Sequence, residues 1–267
     1  MDDQRLRRGS GGDGGSVPSS PTLTAVGIGV GLLYGLFGVG SAFATPVLAA
    51  IGVPGLAAVV APLPALLPSS AAGAVSYARQ GLVDRRFVRW AVLGAVPASI
   101  IGAASAHLLG GEVLVVASGA VLLLVGLRVL RPAPVGAHTA DLTAARRANP
   151  VLVVGVAAAV GLLAGLLANG GGFLLVPTLI VLFGLDTPEA AGTSLAVAAA
   201  VTVPTLVTHA LVGDIAWAVT LPFALGIVPG TLLGTRLAPR LPTAELRIAF
   251  GVLVVAFATW FLATALT

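Results

Sequence analysis

One asparagine and three glycines, Asn169–Gly172, interrupt an otherwise apolar stretch that covers residues 150–185. Glycine lets the backbone leave helical geometry, and the later Pro177 removes a backbone donor and clashes with the preceding turn. A helix that restarts after such a break directs unpaired N–H groups and the positive end of its dipole into the gap, which suits an anion. The sequence therefore predicts a substrate site formed by the backbone N–H groups of Asn169, Gly170, Gly171 and Gly172.

A second break of the same kind lies in the first apolar stretch, near residues 22–50. Its predicted substrate ligands are Gly38, Gly40 and Ser41. A proline follows each break, and Pro46 and Pro177 are predicted to help break the two helices. Tight helix packing explains any single glycine equally well. Four polar or glycine residues in a row, mirrored in the other half of the chain, favour a substrate site.

A few further polar residues lie within the apolar stretches. Thr193 and Ser194 are predicted hydroxyl donors to the same anion, although a hydroxyl in a membrane helix often bonds to its own backbone. His209 is an ionisable group within a predicted span, which makes it a candidate functional residue. Because histidine changes its charge near neutral pH, His209 is a candidate for proton coupling. An anchor at the membrane interface is the alternative role for this residue.

The composition predicts an integral membrane protein. Of the 267 residues, 57% are hydrophobic and 9% are charged, whereas soluble domains carry about 25% charged residues. So few charges cannot cover a water-soluble surface, but the outer face of a helix bundle in lipid is apolar. The fourteen basic residues are all arginine and cluster at the ends of apolar stretches, which indicates a role in membrane topology rather than in nucleic-acid binding.

The sequence contains no pattern typical of a catalytic or metal site. It has no cysteine, which excludes disulfides and thiolate ligands. No lysine follows the glycine run, as a phosphate-binding loop would require, and no Ser-His-Asp set or metal-ligand spacing is present. We therefore expect a protein that is not an enzyme and that uses no cofactor and no metal ion.

The apolar stretches predict an all-α, polytopic transmembrane bundle of about eight helices. Residues 1–20 form a polar tail that is predicted to be disordered. Residues 21–131 and 150–267 are predicted to form two transmembrane repeats of four helices, with a broken first helix in each. A polar linker, 132–149, lies between the two repeats.

Two pairs of segments support an internal duplication. YARQGLVD at residues 77–84 aligns with HALVGDIA at 209–216, and VPASIIGA at 96–103 aligns with VPGTLLGT at 228–235, both at an offset of 132. The two broken spans also correspond. Chance similarity between helices rich in small residues is the alternative, but the shared order favours duplication. Internal repeats of helical spans are typical of secondary transporters.

The arginine distribution predicts an orientation. Eight crossings with a cytoplasmic N-terminus place eleven of the fourteen arginines inside, as the positive-inside rule requires. Arg236, Arg240 and Arg247 then fall outside. A re-entrant hairpin in the first span of each repeat would give five passes per half and invert the second half, but it would misplace the linker arginines. Eight crossings of the plasma membrane, with the N-terminus in the cytoplasm, are therefore expected.

The second half of the chain resembles the sulfite-exporter (TauE/SafE-type) membrane permeases. The resemblance lies in a glycine-rich stretch followed by proline, a Gly-Thr-Ser-Leu sequence, a histidine before a glycine, and a glycine-rich seventh span. These features fall at Gly170–Gly172 with Pro177, at Gly192–Leu195, at His209 with Gly213, and at Pro229 with Gly230 and Gly234. The first half matches the family at Gly38, Gly40, Pro46, Gln80 and Gly81. It reads APLP at Ala61–Pro64 where the Gly-Thr-Ser-Leu sequence is expected.

The resemblance covers about residues 22–265 and implies export of a small anion, sulfite or an organosulfonate. We therefore expect a secondary transporter whose partners are the small anionic substrate and the lipid bilayer, and a homo-oligomer is compatible with this. A channel, or an uptake carrier for another small solute or a metal cation, is the alternative, because carbonyl groups exposed at the same breaks could coordinate a cation. The shortage of carboxylates within the spans argues against it.

Overall fold

The computed structural model describes residues 18–53, 61–105, 123, 127, 130, 149–166, 172–212 and 216–266. This part of the chain forms nine α-helices and one short 3₁₀ helix, Ala238–Arg240, and contains no β-strand. The α-helices are α1 Ser20–Phe37, α2 Gly40–Ala50, α3 Leu63–Arg79, α4 Arg85–Ser105, α5 Pro150–Leu166, α6 Gly172–Phe183, α7 Thr187–Val212, α8 Trp217–Leu237 and α9 Thr243–Leu266. The prediction of an all-α bundle is confirmed.

Helices α1 and α8 run parallel and in backbone contact along a row of glycines on each helix. A side-chain carbon placed at Gly27, Gly31 or Gly35 of α1 would overlap the backbone of α8. Gly27 lies beside Phe223 and Gly35 beside Thr231, so the contacts advance in the same direction along both helices. The facing glycines of α8 are Gly226, Gly230 and Gly234. Small residues at four-residue spacing allow helix backbones to approach this closely.

Helices α4 and α5 form a second parallel pair. Gly94 of α4 contacts Val154, and Gly102 contacts Leu162 of α5. In the predicted repeats α1 corresponds to α5, and α4 corresponds to α8. Helix α1 of the first half thus packs on α8 of the second, and α5 of the second half packs on α4 of the first. The duplication stays a prediction, but it accounts for this exchange.

The first predicted span is divided at Gly38. The backbone there has a φ of 73°, in the left-handed region that favours glycine, and the Gly38 N–H closes α1 by donating to Tyr34 O at 2.8 Å. Gly40, the first residue of α2, lies against Val30 and Tyr34 rather than beyond the end of α1. Helix α2 therefore folds back along α1.

The second predicted span also comprises two helices, α5 and α6. Leu175, near the start of α6, shares a small cavity with Gly161 of α5. Further along α6, Phe183 meets Phe87 at the start of α4, with 5.0 Å between the ring centroids. Helices α4 and α5 are parallel, so the start of α4 lies beside the start of α5. Because α6 begins beside the end of α5 and ends beside the start of α4, it runs back along α5.

Hydrogen bonds near both ends of α3 show that it runs parallel to α8, and hence to α1. Thr220, near the start of α8, donates to Ala61 O at 3.0 Å. Toward the other end, the Gln80 amide donates to Thr235 O at 3.3 Å. We name this second end of the bundle the basic end, because it carries Arg79, Arg85, Arg86, Arg89, Arg236 and Arg240.

The two reversals change the path of the chain from the eight crossings that the sequence predicted. Helix α2 has 11 residues and α6 has 12, too few to cross a bilayer, which takes about 20 helical residues. Since α1 and α3 both start at the end opposite the basic end, the first broken span returns to its side of origin. The structure thus has the re-entrant arrangement, which the linker arginines had argued against. The second half runs inverted relative to the first, because α5 starts at the basic end and α1 at the opposite end.

The predicted role of Pro46 and Pro177 in breaking the helices is also corrected. Both prolines lie inside helices, Pro46 in α2 and Pro177 in α6. Proline within a membrane helix is tolerated when neighbouring protein groups satisfy the freed carbonyl. The described reversal of the first span lies at Gly38, because its left-handed backbone redirects the chain and the proline does not.

The outer face of the bundle is apolar, as lipid requires. Val151 and Leu225, for example, are 76% and 73% exposed. Among the described helices, three are long and apolar enough to cross a bilayer by length and composition: Ser20–Phe37, Thr187–Val207 and Trp217–Arg240. The largest buried side chains include Tyr34 of α1, Tyr77 of α3 and Phe223 of α8.

Candidate functional site

The reversal at Gly38 is buried within the bundle, next to α6 and α7. Residues 34–40 are all buried. A side-chain carbon at Gly38 would lie 2.9 Å from Val176 Cγ2 and 3.0 Å from Ala191 Cα. The first-half reversal therefore packs directly against the second half. Its contact residue Ala191 lies two residues before Thr193, the predicted hydroxyl donor.

The segment Gly192–Ser194 of α7 directly follows Ala191 and contacts α3. A side-chain carbon at Gly192 would lie 2.7 Å from Tyr77 Cβ of α3. Thr193 and Ser194 are fully buried, and the Thr193 hydroxyl oxygen accepts a hydrogen bond from the Asp84 N–H at 3.3 Å. The structure thus brings together two parts of the predicted site, the Gly38 reversal and the Gly-Thr-Ser segment, from opposite halves of the chain.

The hydrogen-bond donors at the first-half break belong to the start of α2. The first N–H groups of a helix have no partner within it, and the first residues of α2 are Gly40, Ser41 and Ala42. The Gly38 N–H is instead bonded to Tyr34 O. The expectation that Gly38 supplies a free N–H is therefore wrong, because its left-handed conformation uses that group to close α1.

Several predicted residues are described only in part. Gly172 is the first residue of α6, so this helix begins where the glycine run ends. Ser41 lies in the first turn of α2 and His209 in the last turn of α7, and the structure describes their backbone but not their side chains. The residues Asn169, Gly170 and Gly171 lie outside the described part of the chain. Their contribution to a site stays a prediction.

Two tyrosines beside the reversal were not among the predicted site residues. The Tyr77 hydroxyl donates to Gly35 O at 2.6 Å, and the Tyr34 hydroxyl is hydrogen-bonded to Ser70. Both contacts join α1 to α3, and the two side chains are almost fully buried. They are the only tyrosines in the sequence. A buried tyrosine hydroxyl needs a partner, so a tyrosine within an apolar span was the signal that could have found them.

Asp84 is a further polar residue that the sequence did not single out. Its Oδ1 accepts hydrogen bonds from the N–H groups of Arg86 at 2.9 Å and Phe87 at 3.0 Å, which caps α4. The side chain is 5% exposed, and its Oδ2 has no hydrogen-bond partner among the described residues. An aspartate directly before a helix was the signal for the cap. Its contact with Thr193 depends on tertiary structure.

A large cavity lies at the basic end, between α3 and α8. We name it the basic groove; its volume is about 780 Å³, and its lining includes Val75, Ser76, Arg79, Gln80, Arg236 and Arg240. A second cavity, of about 10 Å³, lies where α4, α5, α6 and α7 meet. Neither of these two cavities is lined by Gly38, Gly40 or Thr193.

Comparison with known protein families decides the class of this bundle. Residues 23–261 match the family described as sulfite exporter TauE/SafE. The chain belongs to the sulfite exporter TauE/SafE family. The match covers both broken spans and every predicted substrate-binding residue, as the sequence resemblance predicted.

Curated proteins similar to this chain are named as probable membrane transporters. A probable membrane transporter protein of Bacillus subtilis (strain 168), YjnA, is 25% identical over 254 residues, which cover 88% of this chain and 96% of that protein. A probable membrane transporter protein of Xylella fastidiosa (strain Temecula1 / ATCC 700964) is 35% identical over 107 residues, 39% of this chain and 41% of that protein. Another, from strain 9a5c, is 31% identical over 144 residues, 53% of this chain and 55% of that protein.

No solved structure matches the chain. The family match and the apolar helix bundle together establish a membrane transporter.

Proposed function

We propose that this TauE/SafE transporter is a secondary transporter that exports a small anion, sulfite or an organosulfonate. The observation that carries the proposal is the buried Gly38 reversal, which leads into α2 at Gly40 and packs against Ala191, the residue before the Gly-Thr-Ser segment of α7. Unpaired N–H groups at a helix start bind anions, and burial strengthens such hydrogen bonds because the local dielectric constant is low. The family description names sulfite export.

The proposed site combines donors from both halves of the chain. The N–H groups of Gly40 and Ser41 supply the first set. The Thr193 hydroxyl supplies a second, because its oxygen already accepts from Asp84 N–H and its hydrogen can be donated to the anion. Ser194 is the neighbouring donor. The glycine run Asn169–Gly172 is proposed to supply the equivalent N–H groups from the second broken span.

We further propose that the basic end faces the cytoplasm and that the N-terminus lies outside. Helix α1 starts at the end opposite the basic end, and α5 starts at the basic end. The proposed topology therefore puts the linker arginines inside as well, contrary to the expectation that a re-entrant hairpin would misplace them. Eleven of the fourteen arginines then lie inside, as the positive-inside rule requires. This orientation replaces the cytoplasmic N-terminus that eight crossings predicted. An alkaline phosphatase fused at the N-terminus, active only outside the cell, is expected to be active, and an inactive fusion would contradict the orientation.

The transport proposal is tested by sulfite and sulfonate flux in proteoliposomes. Thr193→Val is expected to lower flux at least tenfold, because it removes a donor to the anion. The matched control is Thr202→Val in the same helix. Thr202 is equally buried, but its hydroxyl bonds to Ala198 O of its own helix at 2.7 Å. Flux of the control is expected to stay within twofold of the unmodified protein.

Two further variants test the parts of the site that the structure does not describe. Gly171→Leu is expected to abolish flux, since it fills the second break with a side chain. If His209 couples transport to protons, His209→Gln is expected to remove the dependence of flux on the pH gradient while leaving thermal stability unchanged. Absence of sulfite and sulfonate flux in the unmodified protein, or unchanged flux in both Gly171→Leu and Thr193→Val, would refute the proposal.

A further inference from the structure

We propose that the basic groove binds the headgroup of an anionic phospholipid, at a site separate from the transported anion. Arg79 reaches it from the last turn of α3, Arg236 from the last turn of α8, and Arg240 from the 3₁₀ helix. All three side chains are exposed. In the described part of the chain, no carboxylate forms an ion pair with them. Guanidinium groups bind phosphate through charge-assisted and often bidentate hydrogen bonds.

Helix contacts close the floor of the groove toward the interior of the bundle. Thr235 donates to Ser76 Oγ at 2.8 Å, and the Gln80 amide donates to Thr235 O at 3.3 Å. One turn deeper, a side-chain carbon at Gly73 would lie 3.2 Å from Thr231 Cγ2. The groove is therefore a peripheral recess between two helices rather than the mouth of a path toward Gly40 and Thr193.

Toward the middle of the bundle, the groove continues as an apolar surface. Val75, which lines it, is 50% exposed, and Ala71 and Leu232 also belong to its lining. A ligand that fits both parts has a negative head beside the arginines and an apolar tail along the helices. Basic pockets between membrane helices on the cytoplasmic side bind anionic lipid headgroups for this reason.

The corresponding positions in the sequence of the other half carry none of these charges. At the offset of 132, Arg79 corresponds to Leu211, Arg236 to Ala104 and Arg240 to Leu108. The helix packing of this fold therefore does not require arginine at the three positions. Membrane topology alone also favours arginines at the basic end, but it does not require that three of them surround one recess.

Arg85, Arg86 and Arg89 provide a matched control. They lie at the basic end, at the start of α4, and all three are exposed, but they do not line the groove. The groove variant combines Arg79→Gln, Arg236→Gln and Arg240→Gln. The control variant combines Arg85→Gln, Arg86→Gln and Arg89→Gln, so both lose the same charge from the same end.

The experiment is native mass spectrometry of the purified full-length protein, titrated with phosphatidylglycerol and, separately, with zwitterionic phosphatidylcholine. The unmodified protein and the control variant are expected to bind phosphatidylglycerol more tightly than phosphatidylcholine. The groove variant is expected to bind phosphatidylglycerol about 100-fold more weakly, since each arginine near the membrane surface contributes roughly fivefold. Its affinity for phosphatidylcholine is expected to stay the same.

Three outcomes would overturn the proposal. The first is phosphatidylglycerol binding by the groove variant that equals that of the unmodified protein. The second is an equal loss in the control variant, which would show a general effect of charge. The third is displacement of the lipid by inorganic phosphate or sulfite at equal concentration, which would make the groove a site for a free anion. If the triple variant does not fold, Arg240→Gln alone replaces it; about fivefold weaker binding supports the proposal and unchanged binding overturns it.

Discussion

The α1–α8 and α4–α5 interfaces share a parallel arrangement but differ in composition. At four-residue spacing, α1 and α8 present six glycines: Gly27, Gly31 and Gly35 facing Gly226, Gly230 and Gly234. The matching positions of α4 and α5 are Gly94, Ala98 and Gly102 with Ala157, Gly161 and Gly165. The α4–α5 interface therefore contains two alanine methyl groups, of Ala98 and Ala157, at positions where the α1–α8 interface has glycine. At the glycines themselves the two contacts are equally close, since a carbon added at Gly31 or at Gly161 would overlap a facing backbone carbonyl oxygen. The two methyl groups are therefore the difference between the interfaces that stability measurements can test.

The largest effect is expected for Gly31→Ala in the middle of the α1–α8 contact. The new methyl group would overlap the backbone carbonyl of Ile227, which moves only with the whole helix. We expect the free energy of unfolding to fall by about 3 kcal/mol, the upper part of the range for overpacking. Gly29→Ala is the control on the same helix, because nothing lies within 4 Å of the added carbon. Equilibrium unfolding in mixed detergent micelles measures both, and equal stability of the two variants would contradict the assigned contact.

A smaller effect is expected for Gly161→Ala in the α4–α5 contact. Its methyl group would overlap the backbone carbonyl of Ala95. Because this pair already accommodates Ala98 and Ala157, we expect a loss of about 2 kcal/mol, less than at Gly31. Gly155→Ala, which has open space around it, is expected to change stability by less than about 0.5 kcal/mol. A loss at Gly161 as large as that at Gly31 would remove the difference between the two interfaces.

The smallest effect is expected for Tyr77→Phe. Its hydroxyl bonds to Gly35 O and so ties α3 to the α1–α8 pair, whereas the matching residue of the second half is His209. Loss of one buried hydrogen bond is expected to lower stability by about 1 kcal/mol. Thr205→Val serves as the control, since the Thr205 hydroxyl bonds to Val201 O of its own helix, at 3.1 Å. A change no larger than the control would show that the hydroxyl does not hold the helices together.

The positions of the helices and of one break were predictable from the sequence, because both depend on local properties. A charge-free apolar stretch in lipid must satisfy its backbone internally, and a helix does so. Gly38 was identifiable because glycine adopts the left-handed conformation that ends a helix. The family was recognisable from short motifs, among them Gly192–Leu195, that remain contiguous in the chain.

The path after each break was not predictable, because a glycine permits both a continued and a reversed chain. Contacts between distant residues decide between them. Phe37 and Phe43, on either side of the reversal, each meet a ring of α9, at 5.5 Å for Phe250 and 4.5 Å for Phe257. The predictions of eight crossings and of a cytoplasmic N-terminus both depended on the continued path. A count of arginines does not distinguish the continued path from the reversed one. Eight crossings with the N-terminus inside and the re-entrant path with the N-terminus outside both place eleven of the fourteen arginines inside.

The sequence by itself determined that this chain is a membrane bundle of helices, where its apolar spans are interrupted, and to which family it belongs. Those properties follow from composition, backbone preference and short contiguous motifs. Only the tertiary structure decided that the broken spans turn back, that the Gly38 N–H is already bonded, and that Arg79 and Arg236 share one groove. Each of these depends on which distant residues come within a few ångströms of one another, and that is set by packing between helices rather than by any one segment of the chain.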